Sequence, residues 1–231
     1  MKTIIAIPAD DSLRNVKFNM QFINSFNKFH PDIEIRFFPT DGSPDYYYRA
    51  KPIIACQLFE EGYEYVILAD NDQIIIGSLN DILNDEDEFD VGVVLNDPSY
   101  PINLLDGISP YFNNGLVLLK SHEFAKHWKR LCFTPHFKNF QFREQDLLNI
   151  MCSDYMNYKV KMIETEKLYG ECAKPFWAQA YLEEGKIFID TQFGKKQLCI
   201  IHFGGGNTPD KGNYKIRFKP EVVAKIEELI K

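Results

Sequence analysis

The sequence has no long hydrophobic run, no closely paired cysteines and no excess of basic residues, and each absence excludes a class of protein. No apolar run approaches the roughly 20 residues that a membrane-spanning helix requires, so we expect no membrane span. The 33 Asp and Glu residues outnumber the 26 Lys and Arg residues, which gives a formal net charge of −7. This balance argues against a nucleic-acid partner, because phosphate backbones are bound by basic surfaces.

The cysteines and the first residues predict a cytoplasmic location. The five cysteines are odd in number, widely spaced and without a CxxC pair, which favours reduced thiols over a disulfide framework or a zinc site. The opening residues, MKTIIAIPADDS, contain only about five consecutive apolar residues before charged residues follow. That run is too short for the core of a secretory signal peptide, so we expect the protein to remain in the cytosol.

The pattern of apolar residues predicts a single α/β domain over residues 1–231. Hydrophobic residues make up 45% of the chain, enough for one sizeable globular core. Continuously apolar strands that alternate with helices predict a mostly parallel sheet flanked by helices. The predicted strands are TIIAIP, IEIRFFP, YVILA, DVGVVL, GLVLLK and QLCIIHF. The predicted helices cover residues 15–29, 48–61, 143–152 and 220–231, with another beginning near Ser121.

One join between two apolar runs carries two acids. The predicted strand YVILA ends in Asp70-Asn71-Asp72, and the apolar run Ile74-Ile75-Ile76 follows at once. Open α/β sheets bind ligands at the carboxyl ends of their strands, and side chains two residues apart on an extended chain point to the same side. Two carboxylates that face one point repel each other unless a divalent cation lies between them. The pattern is equally compatible with a polar loop whose acids cap a following helix.

Two other interpretations of the acidic segment fit less well. An EF-hand calcium loop requires a glycine at its sixth position, where this sequence has Ile75. A phosphatase of the haloacid dehalogenase type also ends a strand in Asp-x-Asp, but usually on its first strand and with Thr or Val two places on. Here the acids follow the third predicted strand and continue with Gln73-Ile74. Such a phosphatase remains an alternative function.

Four segments resemble the motifs of one enzyme family. The stretch YRAKPIIACQLFEEGYEYVILADNDQIIIGSLNDIL resembles the region around the Asp-x-Asp motif of nucleotide-sugar glycosyltransferases with the GT-A (Rossmann-like) fold. Within that group it is most similar to glycosyltransferase family 8, the galactosyltransferase and glycogenin group. YFNNGLVLLKSHEF is similar to the family's yFNsGvmlin, FREQDLLNIM to its pDQd.lN, and CIIHFGGGNTPDKG to its closing vvHf.G..KPW. The sequence departs from the family at Glu144, where Asp is usual, and in a longer last loop that lacks the Trp.

The resemblance implies a divalent cation, Mn²⁺ or Mg²⁺, held by Asp70, Asp72 and His202. In the family the cation bridges the diphosphate of the donor, and oxygen and imidazole ligands with open positions for phosphate suit either metal. A histidine at the end of the strand QLCII is ordinarily a structural residue. The adjacent Gly204-Gly205-Gly206 favours a functional role, because flexible backbone amides can surround phosphate oxygens.

The resemblance also implies donor contacts and a catalytic pair. Glu144 and Gln145 align with the family's Asp-Gln pair, which approaches the donor sugar, although an acid in the first turn of a helix is also favoured by the helix dipole alone. Asn113 would hydrogen-bond sugar hydroxyls, although Asn-Asn-Gly is equally a plain turn. Arg49 or Lys51 would lie over the diphosphate or the sugar. The residues implied to bind the nucleotide sugar are Pro8, Ala9, Asp10, Arg49, Lys51, Asp70, Asn71, Asn113, Asn114, Gly205 and Lys211.

The predicted activity is transfer of a sugar, with retention of anomeric configuration, from a nucleotide-diphosphate donor to a glycan or protein acceptor. A UDP-sugar is the expected donor, and the retention follows from the resemblance alone. The segment Asp97 to Pro110, with three prolines and a glycine, is predicted to be an irregular loop that shapes the acceptor site through residues such as Tyr100. A non-catalytic member that binds a nucleotide sugar or a glycan is the alternative from a different functional class.

Overall fold

The computed structural model describes residues 1–10, 12–40, 43–95, 110–164, 179–191, 194–203, 214–216 and 218–231. The strands are β1 Thr3–Ala9, β2 Ile35–Pro39, β3 Tyr65–Ala69, β4 Gln73–Ile75, β5 Val91–Leu95, β6 Phe112–Leu119, β7 Val160–Ile163, β8 Tyr181–Glu183, β9 Lys186–Thr191, β10 Gly194–Gln197 and β11 Ile200–His202. The α-helices are α1 Leu13–Asn27, α2 Pro44–Tyr47, α3 Ala50–Glu60, α4 Asn80–Leu83, α5 His122–Cys132, α6 Glu144–Met151 and α7 Pro220–Leu229. Short 3₁₀ helices cover Pro135–Asn139, Asp154–Met156 and Tyr214–Ile216.

A six-stranded sheet organises the first of two compact units into which the chain divides. This unit comprises Met1–Asp11, Ile33–Asp70 and Glu86–Ile163. Its strand order is β2-β1-β3-β6-β5-β7. The pairs β1-β2, β1-β3 and β5-β7 are parallel, whereas β6 is antiparallel to both of its neighbours. The predicted α/β fold with a mostly parallel sheet is confirmed.

Strand β3 lies inside this sheet, and all five of its residues are buried. Burial on both faces accounts for its continuous apolar sequence, because a strand with one solvated face would alternate apolar and polar residues. Helix α3 packs against β3, and α5 packs against α3. Trp128 of α5 is fully buried in the same core. Asp70 is the first residue beyond the buried strand, and its side chain is 21% exposed.

Strand β6 contains an irregularity at its amino end. Val93 pairs with Val117, but the next residue, Val94, pairs with Asn113, so residues 114–116 have no partner on β5. Such bulges re-aim side chains and are common beside functional sites. The amide of Asp70 donates a 3.0 Å hydrogen bond to the carbonyl oxygen of Gly115, which ties the end of β3 to the bulge.

The second unit comprises Ser12–Asp32, Asn71–Asp85 and Glu164–Lys231. It contains two antiparallel sheets, β10-β9-β8 and β11-β4. Helix α1 packs against β4, and α7 packs against β8. Helix α7 contributes Val222 and Ile226 to a buried apolar cluster that also includes Ile74 and Ile201. The apolar run that follows the acids therefore pairs, as β4, with β11 near the end of the chain. The alternative in which the acids cap a helix is wrong, because the residues that follow Asp72 form a strand.

The sequence predicts no membrane-spanning helix and reduced cysteines. Among these residues, no helix is both long enough and apolar enough to cross a membrane. Four of the five cysteines, Cys56, Cys132, Cys152 and Cys199, are free thiols, as predicted. The fifth, Cys172, lies outside the described residues.

Candidate functional site

The carboxylate of Asp70 is paired with a buried lysine. Lys51 Nζ lies 2.7 Å from Asp70 Oδ1, and the lysine side chain is only 5% exposed. The same ammonium donates a hydrogen bond to the carbonyl oxygen of Asn114 in the β6 bulge. A buried ammonium is stable only with such partners, because it has left its hydration shell. Lys51 therefore fixes Asp70 at the end of β3 and joins it to the bulge.

A buried carboxyl group lies on the other side of Asn114. Asn114 Nδ2 donates a 3.0 Å hydrogen bond to Glu144 Oε1. Glu144 is 7% exposed, and its Oε2 accepts no hydrogen bond from the part of the chain that the structure describes. Burial raises the pKa of Glu144 to about 8, and the Lys51 ammonium opposes that shift. A buried carboxyl with a perturbed pKa and one unused oxygen is typical of an active site.

The two residues that follow Glu144 differ in how they are used. Gln145 Oε1 accepts a 3.4 Å hydrogen bond from the backbone amide of Asn114, and Gln145 Nε2 donates to the Tyr111 hydroxyl at 3.1 Å. Asp146 accepts from the Tyr111 hydroxyl at 2.7 Å through one oxygen and from the Phe142 amide at 2.8 Å through the other. Burial and the bond to Asp146 raise the pKa of Tyr111. Both oxygens of Asp146 are thus occupied within the protein, which favours Glu144 as the acid that contacts a ligand.

The start of α6 holds Glu144 in an unusual backbone setting. Arg143, the residue before the helix, has φ 51° and ψ −116°, a conformation that costs a non-glycine residue of order 1–3 kcal/mol. The indole of Trp128 donates a 2.9 Å hydrogen bond to the carbonyl oxygen of Glu144. Glu144 and Asp146 both lie in the first turn of α6, where the helix dipole favours acids. Backbone and indole together fix the position from which the Glu144 side chain reaches Asn114.

In the second unit, strand pairing sets Asp72 beside His202. Strands β4 and β11 pair in antiparallel register with His202 opposite Gln73, and the amide of Phe203 donates a 3.0 Å hydrogen bond to the carbonyl oxygen of Asp72. His202 Nε2 lies 3.3 Å from Asp72 Oδ1, and the two side chains are 5% and 7% exposed. Because the pairing runs through backbone groups, the position of the imidazole follows from the register of the two strands.

The three predicted metal ligands come together. One ligand atom from each of Asp70, Asp72 and His202 lies within 4.8 Å of the other two, and only Asn71 separates the two acids along the chain. Ligand atoms bound at roughly 2.0–2.1 Å to one octahedral ion lie roughly 3 to 4 Å apart, a range that falls within the 4.8 Å limit of these three atoms. Two carboxylate oxygens and an imidazole nitrogen suit Mn²⁺ or Mg²⁺. The residues present therefore fit a divalent cation.

The remaining predicted donor contacts lie in varied settings. Pro8 and Ala9 end β1, and the partly exposed Asp10 follows them. Asn71 Nδ2 donates to Asn19 Oδ1 at 3.0 Å. Asn113 Oδ1 accepts a 2.7 Å hydrogen bond from the amide of Gly115, so its carbonyl serves the local backbone, as the plain-turn interpretation allowed.

Arg49 occupies a different environment from Lys51. Arg49 Nε donates a 2.9 Å hydrogen bond to the carbonyl oxygen of Cys132. Its guanidinium lies over aromatic rings, whereas the Lys51 ammonium pairs with Asp70. Of the two candidate cations, Lys51 is the one joined to the predicted site. The predicted contacts Gly205 and Lys211, the glycine run 204–206 and the acceptor loop with Tyr100 lie outside the described residues.

Sequence reasoning missed two residues that build this region. Tyr111 joins Gln145 to Asp146, as described above. Asn149, which is 1% exposed, donates to the carbonyl oxygens of Phe112 and Gln145 and accepts from the Phe112 amide at 2.6 Å. Its side chain therefore pairs α6 with the start of β6. The available signal was Asn149, the one polar residue among the apolar residues of 147–151.

Solved structures with a similar fold are glycosyltransferases. A glycosyltransferase involved in glycosylation of the major capsid of PBCV-1 has a TM-score of 0.65 and 11% identity, covering 93% of this chain and 99% of that one. The galactosyltransferase LgtC, solved with donor and acceptor sugar analogs, has a TM-score of 0.58 and 16% identity, covering 98% and 96%. The bifunctional glycosyltransferase WbbM has a TM-score of 0.59 and 15% identity, covering 100% of this chain and 52% of that one.

The likeness is one of fold. No protein-family model matches the sequence, and no curated protein matches it either. At 11–16% identity the structural likeness speaks for the shared architecture, and it covers nearly the whole chain. The GT-A fold predicted from the sequence is confirmed.

Proposed function

We propose that the protein is a metal-dependent glycosyltransferase that moves a sugar from a UDP-sugar donor to a glycan or protein acceptor. Residues 1–231 would act as one GT-A domain. The observation that carries the proposal is the convergence of Asp70, Asp72 and His202 in a chain with this fold. The donor and acceptor sugar analogs in the LgtC structure support the expectation of both ligands here.

The chain's own residues prepare the donor site. Asp70, Asp72 and His202 would hold Mn²⁺ or Mg²⁺, which supplies positive charge that neutralises the diphosphate leaving group. Lys51 orients Asp70 through its ion pair, so this carboxylate needs little rearrangement to act as a ligand. His202 must present a neutral ring nitrogen, and strand pairing holds that ring beside Asp72. These three side chains and one lysine account for binding of the leaving group.

Glu144 is the residue best placed to act on the sugar. Its Oε1 is fixed by Asn114, which leaves Oε2 to hydrogen-bond a sugar hydroxyl. As the bond to the diphosphate breaks, positive charge develops at the anomeric carbon, and Glu144 in its ionised form would interact with that charge more strongly than with the neutral ground state. With a pKa of about 8, the free protein holds Glu144 mostly protonated at neutral pH, so this role belongs to the upper part of the pH range. Gln145 is held by Asn114 and Tyr111 in the same network and would position the donor sugar. Attack of an acceptor hydroxyl on the anomeric carbon from the face that the diphosphate leaves, with the hydroxyl proton passing to the departing diphosphate, would retain the anomeric configuration.

The two alternative functions are a haloacid dehalogenase-type phosphatase and a non-catalytic nucleotide-sugar-binding protein. The haloacid dehalogenase-type phosphatase has no support from the fold, since the solved neighbours are glycosyltransferases. A non-catalytic protein that binds a nucleotide sugar would use the same three ligands, so only an assay of turnover separates it from a transferase.

The test measures release of UDP from UDP-glucose and UDP-galactose, with Mn²⁺ and with EDTA. A transferase hydrolyses its own donor slowly without an acceptor, so we expect UDP release that depends on Mn²⁺ and is lost with EDTA. A parallel thermal-shift assay reports binding, because a ligand that binds only the folded state raises the melting temperature. Stabilisation by a UDP-sugar with Mn²⁺ but without UDP release, even when candidate acceptors are added, would contradict the proposed transfer.

A further inference from the structure

Two arginines of the first unit share one aromatic ring. The guanidinium carbons of Arg49 and Arg143 lie 4.7 Å and 5.9 Å from the ring centre of Phe137. Arg49 also lies 5.1 Å from the ring of Phe133, which is 57% exposed, and Arg143 lies 5.9 Å from the ring of Tyr48, which is 38% exposed. We refer to these five residues as the arginine–aromatic patch.

The patch has an uncompensated positive charge. The hydrogen-bond acceptors of both guanidinium groups are neutral carbonyl oxygens: Cys132 for Arg49, and Phe137, at 3.5 Å, for Arg143. Neither arginine has a carboxylate within ion-pair distance among the described residues. The segment 133–143, FTPHFKNFQFR, contains no acid and ends in Arg143, in a chain whose net charge is −7. A local excess of positive charge on an acidic protein calls for an anionic ligand.

The patch is also preorganised. A guanidinium stacked on a ring has lost part of its conformational freedom, so less entropy is lost when it binds an anion. Arg143 is held with φ 51°, the unusual backbone conformation described above. Strain of this kind persists where the surrounding structure fixes the residue, and it concentrates at ligand sites. Both arginines of the patch are therefore held in place before a ligand binds.

The position of the patch along the chain connects it to the candidate reaction centre. Arg49 precedes Lys51 by two residues, and Arg143 immediately precedes Glu144. Lys51 and Glu144 both bind Asn114, so the two arginines flank the two ends of one network. A group bound at the patch would lie next to the elements that carry this network.

We infer that the arginine–aromatic patch binds a carboxylate or phosphate group carried by the acceptor sugar. The inference rests on the proposed function and names its acceptor class as an anionic saccharide. Guanidinium groups match the geometry of carboxylate and phosphate oxygens, and the exposed faces of Phe133 and Tyr48 suit stacking against a sugar ring. The inference gives Arg49 a role at the acceptor instead of over the donor diphosphate.

The test compares the binding of glucose, glucose 6-phosphate and glucuronate to the full chain by isothermal calorimetry. Measurements in EDTA without nucleotide do not depend on the donor site, and a repeat with UDP and Mg²⁺ shows whether the anionic sugar still binds when the donor site is filled. We expect each anionic sugar to bind at least about tenfold more tightly than glucose, as for charge-assisted hydrogen bonds. Binding of inorganic phosphate as tight as that of glucose 6-phosphate would overturn the inference, because the sugar would then contribute nothing.

Variants test the assignment to these two arginines. Arg143→Gln and Arg49→Gln should each weaken binding of glucose 6-phosphate at least about fivefold, whereas Arg130→Gln, an exposed arginine of α5, should change it less than about twofold. Arg143→Lys, which keeps the charge but not the planar fork, should fall between wild type and Arg143→Gln, and it provides a reading if the Gln variant fails to fold. Equal losses in Arg130→Gln and Arg143→Gln would overturn the inference.

Different outcomes refute the proposed function and this inference. UDP release without a preference for anionic sugars would refute the inference and leave the transferase standing. A preference for anionic sugars that depends on Arg143, without any UDP release, would support the patch and refute the transferase.

Discussion

The two acids that flank Asn71 are held by different kinds of structure. In the first unit, Asp70 belongs to a chain of polar side chains, in which Lys51 bridges Asp70 to Asn114 and Asn114 reaches Glu144. In the second unit, Asp72 is set beside His202 by backbone hydrogen bonds between two short apolar strands.

This difference predicts how each unit responds to substitution. A buried polar network depends on every donor meeting an acceptor, so an isosteric exchange that reverses one hydrogen bond is costly. A strand pair depends on backbone spacing, so a polar side chain can change there with little effect on the fold, but an added carbon between the strands cannot be accommodated.

The largest expected effect comes from Gly77→Ala in the second unit. A Cβ at Gly77 would lie 2.9 Å from the carbonyl oxygen of Leu198 and 3.3 Å from the Cα of Cys199, so the backbone before β11 must move. We expect a loss of about 3 kcal/mol in the free energy of unfolding, measured by urea denaturation. Gly62→Ala is the control, since its Cβ meets nothing within 4 Å although φ is +86°; a loss of about 1 kcal/mol is expected there. Equal losses would show that spacing near β11 is not critical.

A smaller effect is expected from a matched pair of isosteric substitutions, Asp146→Asn and Asp72→Asn. In Asp146→Asn the new NH₂ group must face either the Tyr111 hydroxyl or the Phe142 amide, both of which now donate to Asp146. We expect Asp146→Asn to lower the free energy of unfolding by about 2 kcal/mol. Asp72→Asn, without added metal, should lower it by less than about 1 kcal/mol, because backbone pairing holds its strand. A larger loss in Asp72→Asn than in Asp146→Asn would reverse the comparison.

Turnover tests the role of Glu144 within the polar network. Glu144→Gln keeps the size of the side chain but removes the carboxylate that would stabilise positive charge at the anomeric carbon. We expect kcat to fall at least about tenfold, which corresponds to about 1.4 kcal/mol in activation free energy, while UDP affinity changes little. Steady-state kinetics with a UDP-sugar, alongside calorimetry with UDP, measure both. A fall in UDP affinity as large as the fall in kcat would assign Glu144 to ground-state binding.

The smallest expected effect is on the pH dependence of stability. Glu144 has a folded-state pKa of about 8, above its ordinary value of 4.5, so the unfolded chain releases this proton at lower pH than the folded protein. Between these two values the unfolded state is therefore increasingly favoured as the pH rises. We expect the difference in free energy of unfolding between Glu144→Gln and the wild type to shift in favour of the variant by at least about 1 kcal/mol from pH 5 to pH 8. Urea titrations at each pH measure this difference. A constant difference across that range would contradict the raised pKa.

The sequence located most of the sheet and the pair of acids at the end of β3. Asp70 and Asp72 could be predicted because a continuous apolar run that ends in acids marks the carboxyl end of a buried strand, and β3 has those features. The predicted helix 48–61 is observed as Ala50–Glu60, and the predicted helix 143–152 as Glu144–Met151. In each case the observed ends differ from the predicted ends by one or two residues.

Other features depend on contacts that residue spacing does not encode. The direction of β6 could not be predicted, because an apolar strand looks the same when it runs parallel or antiparallel. Lys51 pairs with Asp70 across 19 positions of sequence, and Tyr111 meets Asp146 across 35. The bulge at residues 114–116, which brings Asn114 to Lys51, appears only when β5 and β6 are aligned. These contacts are products of tertiary packing, whereas Asp70 and Asp72 are close neighbours in the sequence.

Calorimetric measurement of UDP affinity with and without Mn²⁺ tests the central claim most directly. In the wild-type protein we expect Mn²⁺ to raise UDP affinity at least about tenfold, because Asp70, Asp72 and His202 would hold the cation, which would supply positive charge for the diphosphate. Asp72→Asn should lose most of this gain while remaining folded, and Asp32→Asn, an exposed acid of the same unit, should retain it. Unchanged, Mn²⁺-dependent UDP affinity in Asp72→Asn would contradict the account.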